Sequence, residues 1–82
     1  MAKVVLFSRP GCHLCDVARG VLAEVRADVP FELEVRDISG DRALESAYGH
    51  HIPVVAIDGV EAFRHAVDPV ALRARLSRPG VA

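Results

Sequence analysis

The apolar positions of this chain pass from an unbroken run to a helical spacing to an alternation, and each change marks the edge of an element. Val4-Val5-Leu6-Phe7 is a continuous apolar run. Its lack of alternation predicts a strand from about Lys3 to Ser8 with both faces covered. Leu14, Val17, Ala18, Val21, Leu22 and Val25 then recur at helical spacing. They predict a helix from about Cys12 to Asp28 that turns Asp16, Arg19, Glu24 and Arg26 to water. Gly20 weakens that helix by up to ~1 kcal/mol against alanine, which is expected where a helix lies close on a sheet. After Pro30, Phe31, Leu33 and Val35 alternate with Glu32, Glu34 and Arg36. That is the period of a strand with one wet face, as at a sheet edge.

A polar loop from Asp37 to Asp41 leads into a short helix marked by Ala43, Leu44, Ala47 and Tyr48 and closed by Gly49, with Ser39 or Asp41 as its cap. Pro53 precedes a second continuous run, Val54-Val55-Ala56-Ile57. Asp58-Gly59 then turns into Val60, Ala62 and Phe63, alternating with Glu61 and Arg64. Asp-Gly between two such runs predicts an antiparallel hairpin. Asp68-Pro69 supplies a cap and a first helical residue for a last helix carrying Val70, Ala71, Leu72, Ala74 and Leu76, which stops at Pro79-Gly80.

The order is β-α-β-α-β-β-α, an α/β fold. Placing the two continuous strands inside and the two alternating ones at the edges gives a four-stranded mixed sheet in the order 2-1-3-4, with helices on its faces. The first two strands are parallel through a right-handed crossover. At 82 residues the chain is read as one domain, 1–82. Half of it is apolar and about a quarter charged, with a net charge of −1. That balance fits a soluble globular domain. The cations are nine arginines and Lys3, scattered among eleven acids, so nucleic acid is not an expected partner. The opening apolar run is too short for a signal peptide or a membrane span, and the chain is read as a cytoplasmic monomer without a membrane partner.

The only two cysteines stand in Arg9-Pro10-Gly11-Cys12-His13-Leu14-Cys15, between the first strand and the first helix. Two cysteines are too few for a disulfide scaffold, and a bridge across C-x-x-C closes a ring too small to stabilise much, so its value is redox chemistry. At a helix start the unpaired N–H groups favour an anion, and thiol pKa values there fall from about 8.5 to roughly 3.5–7.5. Cys12 is nearer the helix start and the exposed loop. Cys15, about a turn in, is better hidden and placed to resolve a mixed disulfide on Cys12. The pair therefore lies at the carboxyl end of a central strand, where open α/β sheets bind ligands.

The chain resembles the thioredoxin superfamily, and within it the small bacterial glutaredoxin-like proteins, over nearly its whole length. The resemblance is carried by VVLFSRPGCHLC from Val4 to Cys15, by Ile52-Pro53-Val54-Val55, and by Asp58-Gly59 with Asp68 after it. It implies a thioredoxin-like fold of glutaredoxin type, with Cys12 as the attacking thiol and Cys15 as the resolving one. Arg9 stands where glutaredoxins often carry a lysine near the carboxylate of glutathione. Its alternative is a surface arginine with no ligand. For Pro53 the resemblance implies a cis bond that leaves the Ile52 main chain free to pair with an extended thiol peptide. A trans proline opening a strand is the plainer reading.

Glutathione-binding glutaredoxins carry a Gly-Gly pair and two acids before the last helix. Here the stretch is Arg64-His65-Ala66-Val67-Asp68-Pro69, and only Asp68 matches. Asp68 is thus a substrate contact or simply a helix cap. No cofactor is expected, and glutathione enters only as a candidate reductant, against which the missing glycines count. Cys12, Cys15, His50 and His51 share the chemistry of zinc ligands. Neighbouring histidines point different ways in an extended segment, however, and no metal site is assigned. The reading is a thiol-disulfide oxidoreductase whose partners are a disulfide-containing protein or a small thiol. The alternative is a redox-inert module of the same fold that holds a partner or a metal.

Overall fold

The first apolar run becomes β1 (Lys3–Ser8), and it lies inside the sheet. The computed structural model describes residues 1–77. Along them follow α1 (His13–Asp28), β2 (Glu32–Asp37), α2 (Arg42–Tyr48), β3 (Val54–Ile57), β4 (Val60–Arg64) and α3 (Pro69–Ser77). The expected stop at Pro79-Gly80 lies outside the described residues.

The strands form one mixed sheet in the order 2-1-3-4. β1 runs parallel to β2 and antiparallel to β3, and β3 runs antiparallel to β4. The two continuous strands are central because each side chain row meets a helix layer. On one face Val4, Leu6, Val55 and Ile57 pack with Ala18, Leu22 and Val25 of α1 and Leu72 of α3. On the other, Phe7, Val54 and Ala56 pack with Ile38, with Leu44 and Tyr48 of α2 laid over them. Phe7 and Tyr48 stack with ring centroids 4.5 Å apart. Leu6, Leu22 and Val25 are wholly buried, and a side chain of this kind contributes about 1.5–3 kcal/mol relative to exposure. The larger core is therefore the one under α1 and α3.

Several sequence expectations are corrected. α1 turns Cys15, Ala18, Leu22 and Val25 to the sheet, so Leu14 and Val17, one step round the helix, are 53% and 51% exposed. The apolar positions of α1 form two adjacent stripes, and only one meets the sheet. Gly20 faces open space rather than the sheet: a Cβ there would meet nothing within 4 Å. Val35, on the expected dry face of β2, and Val70 of α3 are exposed. The polar loop after β2 hides Ile38 completely, and Asp41 rather than Ser39 caps α2, its Oδ1 accepting the Leu44 N–H at 3.0 Å.

The hairpin turn places Asp58 at φ 50° and Gly59 at φ 85°, the left-handed pair that an Asp-Gly turn supplies. A register shift between Val55 and Ala56 sets Phe63 opposite Val55 and Glu61 opposite Ala56. Among the described residues no helix is long and apolar enough to cross a membrane.

Candidate active site

Strand directions bring four chain segments to one rim. Ser8 ends β1 beside Asp37, which ends β2, and Phe7 pairs with Val54 at the start of β3. Pro53 therefore stands at the same end as the loop that leaves β1. β4 ends there as well, and the His65 N–H just beyond it donates to the Pro53 carbonyl at 2.8 Å and the His51 carbonyl at 3.2 Å.

The loop from β1 into α1 is a tight turn. The Cys12 N–H donates to the Arg9 carbonyl at 3.3 Å. Pro10 occupies the second position, and Gly11, at φ 79°, the third. Proline presets the first angle of such a turn and glycine takes the left-handed one without steric cost. The turn delivers Cys12 to the helix start in extended conformation, as the N-cap of α1. Its carbonyl accepts the Asp16 N–H at 3.2 Å. Its Sγ accepts the Cys15 N–H at 3.2 Å, the place a serine or aspartate oxygen takes at most helix starts.

The two thiols differ sharply. Cys12 is half-buried, with a solvent-facing part. Cys15 is 2% exposed. Burial, reinforced by the hydrogen bond it shares with Cys12 and by the Asp16 carboxylate, pushes the Cys15 thiol up from the ordinary 9.0 to about 11, while a main-chain hydrogen bond at Arg9 opposes the rise. Cys15 stays protonated where Cys12 meets solvent at the end of a helix dipole. One sulfur is partly exposed and the other is buried beside it.

The Ile52-Pro53 peptide bond is cis, as the resemblance implies, and Pro53 is buried at the rim. The description "Glutaredoxin-like domain (DUF836)" matches residues 3–77. The chain belongs to the glutaredoxin-like domain family. This glutaredoxin-like chain is 32% identical over 81 residues to the uncharacterized protein Rv0508 of Mycobacterium tuberculosis, covering 93% of this chain and 84% of that one. It is similar to the solution structure of protein Ne2328 from Nitrosomonas europaea, with 32% identity, TM-score 0.83, and 93% and 92% of the two chains covered. A variant thioredoxin from Halobacterium salinarum shares the fold at 21% identity and TM-score 0.67, over 92% of this chain and 71% of that one.

The remaining predicted residues of the glutaredoxin-like site fall as follows. The Arg9 Nη2 lies 3.4 Å from Glu45 Oε1, tying the loop to α2 with both side chains about half exposed. Asp68 is exposed, and its carboxylate accepts the Val70 N–H at 2.9 Å while its carbonyl accepts the Leu72 N–H, so it caps α3. Ile52 is partly buried against the α2-side core. Among the described residues no three His, Cys, Asp or Glu side chains gather as a metal would require.

The sequence reading singled out neither Glu45 nor the left-handed backbone of His65. Glu45 carries no local signal, because its partner lies far away in the chain. His65 keeps a left-handed backbone, φ 68°, in the stretch where the resemblance expects a glycine pair. Outside glycine that conformation costs about 1–2 kcal/mol. The family's glycines were the available clue. His65 also meets His51 edge to face, with ring centroids 5.8 Å apart.

Proposed function

We propose that this protein is a thiol-disulfide oxidoreductase that cycles Cys12 and Cys15 between dithiol and disulfide. The observation that supports it is the unlike pair at the α1 start: an N-capping sulfur that accepts a main-chain N–H, and a buried thiol one turn below it. A substrate disulfide is attacked by Cys12 as thiolate. One substrate sulfur leaves and takes a proton, and a mixed disulfide remains on Cys12. Cys15 then gives up its proton and attacks the Cys12 sulfur. The second substrate thiol is released and the protein holds the disulfide. Two protein thiols have been oxidised and one substrate disulfide reduced.

The rim around Pro53 suits a disulfide-bearing protein segment, with the Ile52 main chain as its pairing edge. In this reading Arg9 steadies the loop through Glu45, Asp68 serves α3, and the monomer works in the cytoplasm. No cofactor takes part, and a small thiol closes the cycle.

The test mixes reduced protein with a peptide carrying one disulfide and follows intact mass. The protein loses two hydrogens as the peptide is reduced. Cys15→Ser stops at a peptide adduct on Cys12, and Cys12→Ser leaves the peptide intact. A wild-type protein that leaves the peptide oxidised and forms no adduct is the redox-inert module instead.

A further inference from the structure

The turn from β1 into α1 borders a surface cleft of about 370 Å³ that runs between α1 and the end of β2, within the roughly 300–1,000 Å³ of ligand sites. Pro10 and Gly11 of the turn line it, so it reaches to within one residue of Cys12. Val35 of β2, 41% exposed, adds an apolar surface. Ser8 lines it too, a polar residue only 8% exposed. No wholly buried polar side-chain atom among the described residues lacks a partner. The Ser8 hydroxyl, which no hydrogen bond engages among those residues, is therefore open to the cleft. The remaining walls are charged. Asp16 and Arg19 come from α1 and Asp37 from the end of β2. Arg9 also lines the cleft but is tied to Glu45 at 3.4 Å. Among the described residues Asp16, Arg19 and Asp37 stand in no ion pair, and Asp37 uses only Oδ1, to accept the Ser39 N–H at 2.8 Å. Two free carboxylates thus meet one free guanidinium, which leaves a negative charge in the cleft without a partner.

We propose that this cleft takes the cationic side chain of an arginine or lysine carried by the disulfide-bearing segment, and so selects basic protein substrates. The inference rests on the exchange reading above and names the substrate class which that reading leaves open. The apolar stem of the side chain lies along Val35 and Pro10, and its charged head donates to Asp16, Asp37 and the Ser8 hydroxyl. A guanidinium suits acceptors drawn from three elements, because its donors fan out in one plane toward several groups at once. Arg19 opposes such a guest. Its long side chain is exposed, so the head can turn to water as the cleft fills. The cleft makes no bond to sulfur. It holds the segment by a basic residue while Cys12, next in the chain after Gly11, meets the disulfide. An acidic segment meets the same two carboxylates and is repelled, so the charge of the cleft selects against partners as well as for them.

The first measurement leaves sulfur out. N-acetyl-arginine amide and its lysine, norleucine and glutamate counterparts are titrated into the isotope-labelled full chain and followed by heteronuclear NMR. The two cationic amides are expected to shift the N–H signals of Ser8, Gly11, Asp16 and Asp37 together, and the other two to leave them in place. The second measurement follows reduction of disulfide peptides that are alike except for arginine, alanine or glutamate at each position flanking the bridge. Each rate is divided by that peptide's rate with dithiothreitol, which removes differences in intrinsic reactivity. The best arginine peptide is expected to exceed its alanine counterpart by about fivefold, the upper range of an exposed ion pair. Asp37→Asn shrinks that advantage to less than twofold, and Arg19→Gln roughly doubles it. Shifts shared by norleucine or glutamate, equal relative rates for all peptides, or two variants that move the advantage in the same direction overturn the cleft proposal and leave the exchange reading standing. A chain that binds the cationic amides and exchanges with no peptide overturns the exchange reading, and with it the substrate role of the cleft.

Discussion

The buried thiol of Cys15 makes the stability of the reduced protein depend on alkaline pH in a way the disulfide form cannot share. Its folded pKa of about 11 lies above the ordinary 9.0 because burial disfavours the thiolate. Between those values the folded chain binds more protons at this site than the unfolded chain does. Stability therefore falls as pH rises, being fully present below 9.0 and lost as pH passes about 11. A tenfold difference in proton affinity corresponds to about 1.4 kcal/mol, so the whole effect is on the order of 3 kcal/mol. For a domain whose total stability is roughly 5–15 kcal/mol that is a large fraction. The assay is urea unfolding by far-UV circular dichroism across this range, on the reduced protein, the disulfide form and reduced Cys15→Ser. Lys3 and Tyr48 are present in all three, and Cys12 remains in the serine variant, so the comparison with that variant isolates Cys15. The reduced wild type should lose stability more steeply than both others. Three parallel curves would refute the argument from burial.

Further outcomes follow from single residues. Gly20→Ala should raise stability by up to about 1 kcal/mol in urea melts, because the position is helical and a Cβ there meets nothing. A loss would mean that Gly20 does not sit in open space. Asp68→Ala should cost about 1 kcal/mol through the lost α3 cap, with Asp68→Asn nearly neutral. If both variants keep full stability and lose peptide reduction, the carboxylate serves substrate rather than the helix. His65→Gly should be more stable than His65→Val by about 2 kcal/mol, since valine resists the left-handed backbone of this residue. Equal melts for the two would remove the strain assigned there.

The sheet order was legible because burial leaves different marks on central and edge strands. Val4 to Phe7 and Val54 to Ile57 are continuous because two layers cover them, and the alternating strands fell at the edges. The cysteines were legible for a similar reason, since C-x-x-C at a strand-to-helix junction leaves little freedom in placing the first sulfur. What failed to show is equally physical. Leu14 and Val17 fit a helical stripe as well as Ala18 and Leu22 do, and only the docking angle of α1 decides which stripe is covered. Ile38 stands alone among polar residues and offers no period to read. Glu45 and Arg9 meet only through the fold, 36 residues apart in the chain. No sequence window holds both.

The α2 segment buries no residue completely and rests on the sheet through Leu44 and Tyr48. A cover attached so lightly is the natural place for the molecule to breathe. Its amides should exchange with deuterated solvent well before those of β1 or α1, by openings that leave the larger core intact. Sequence drift and inserted residues are accommodated most readily in such a segment. Descendants of this fold can therefore change what they present beside the Pro53 rim while leaving the placement of Cys12 and Cys15 fixed.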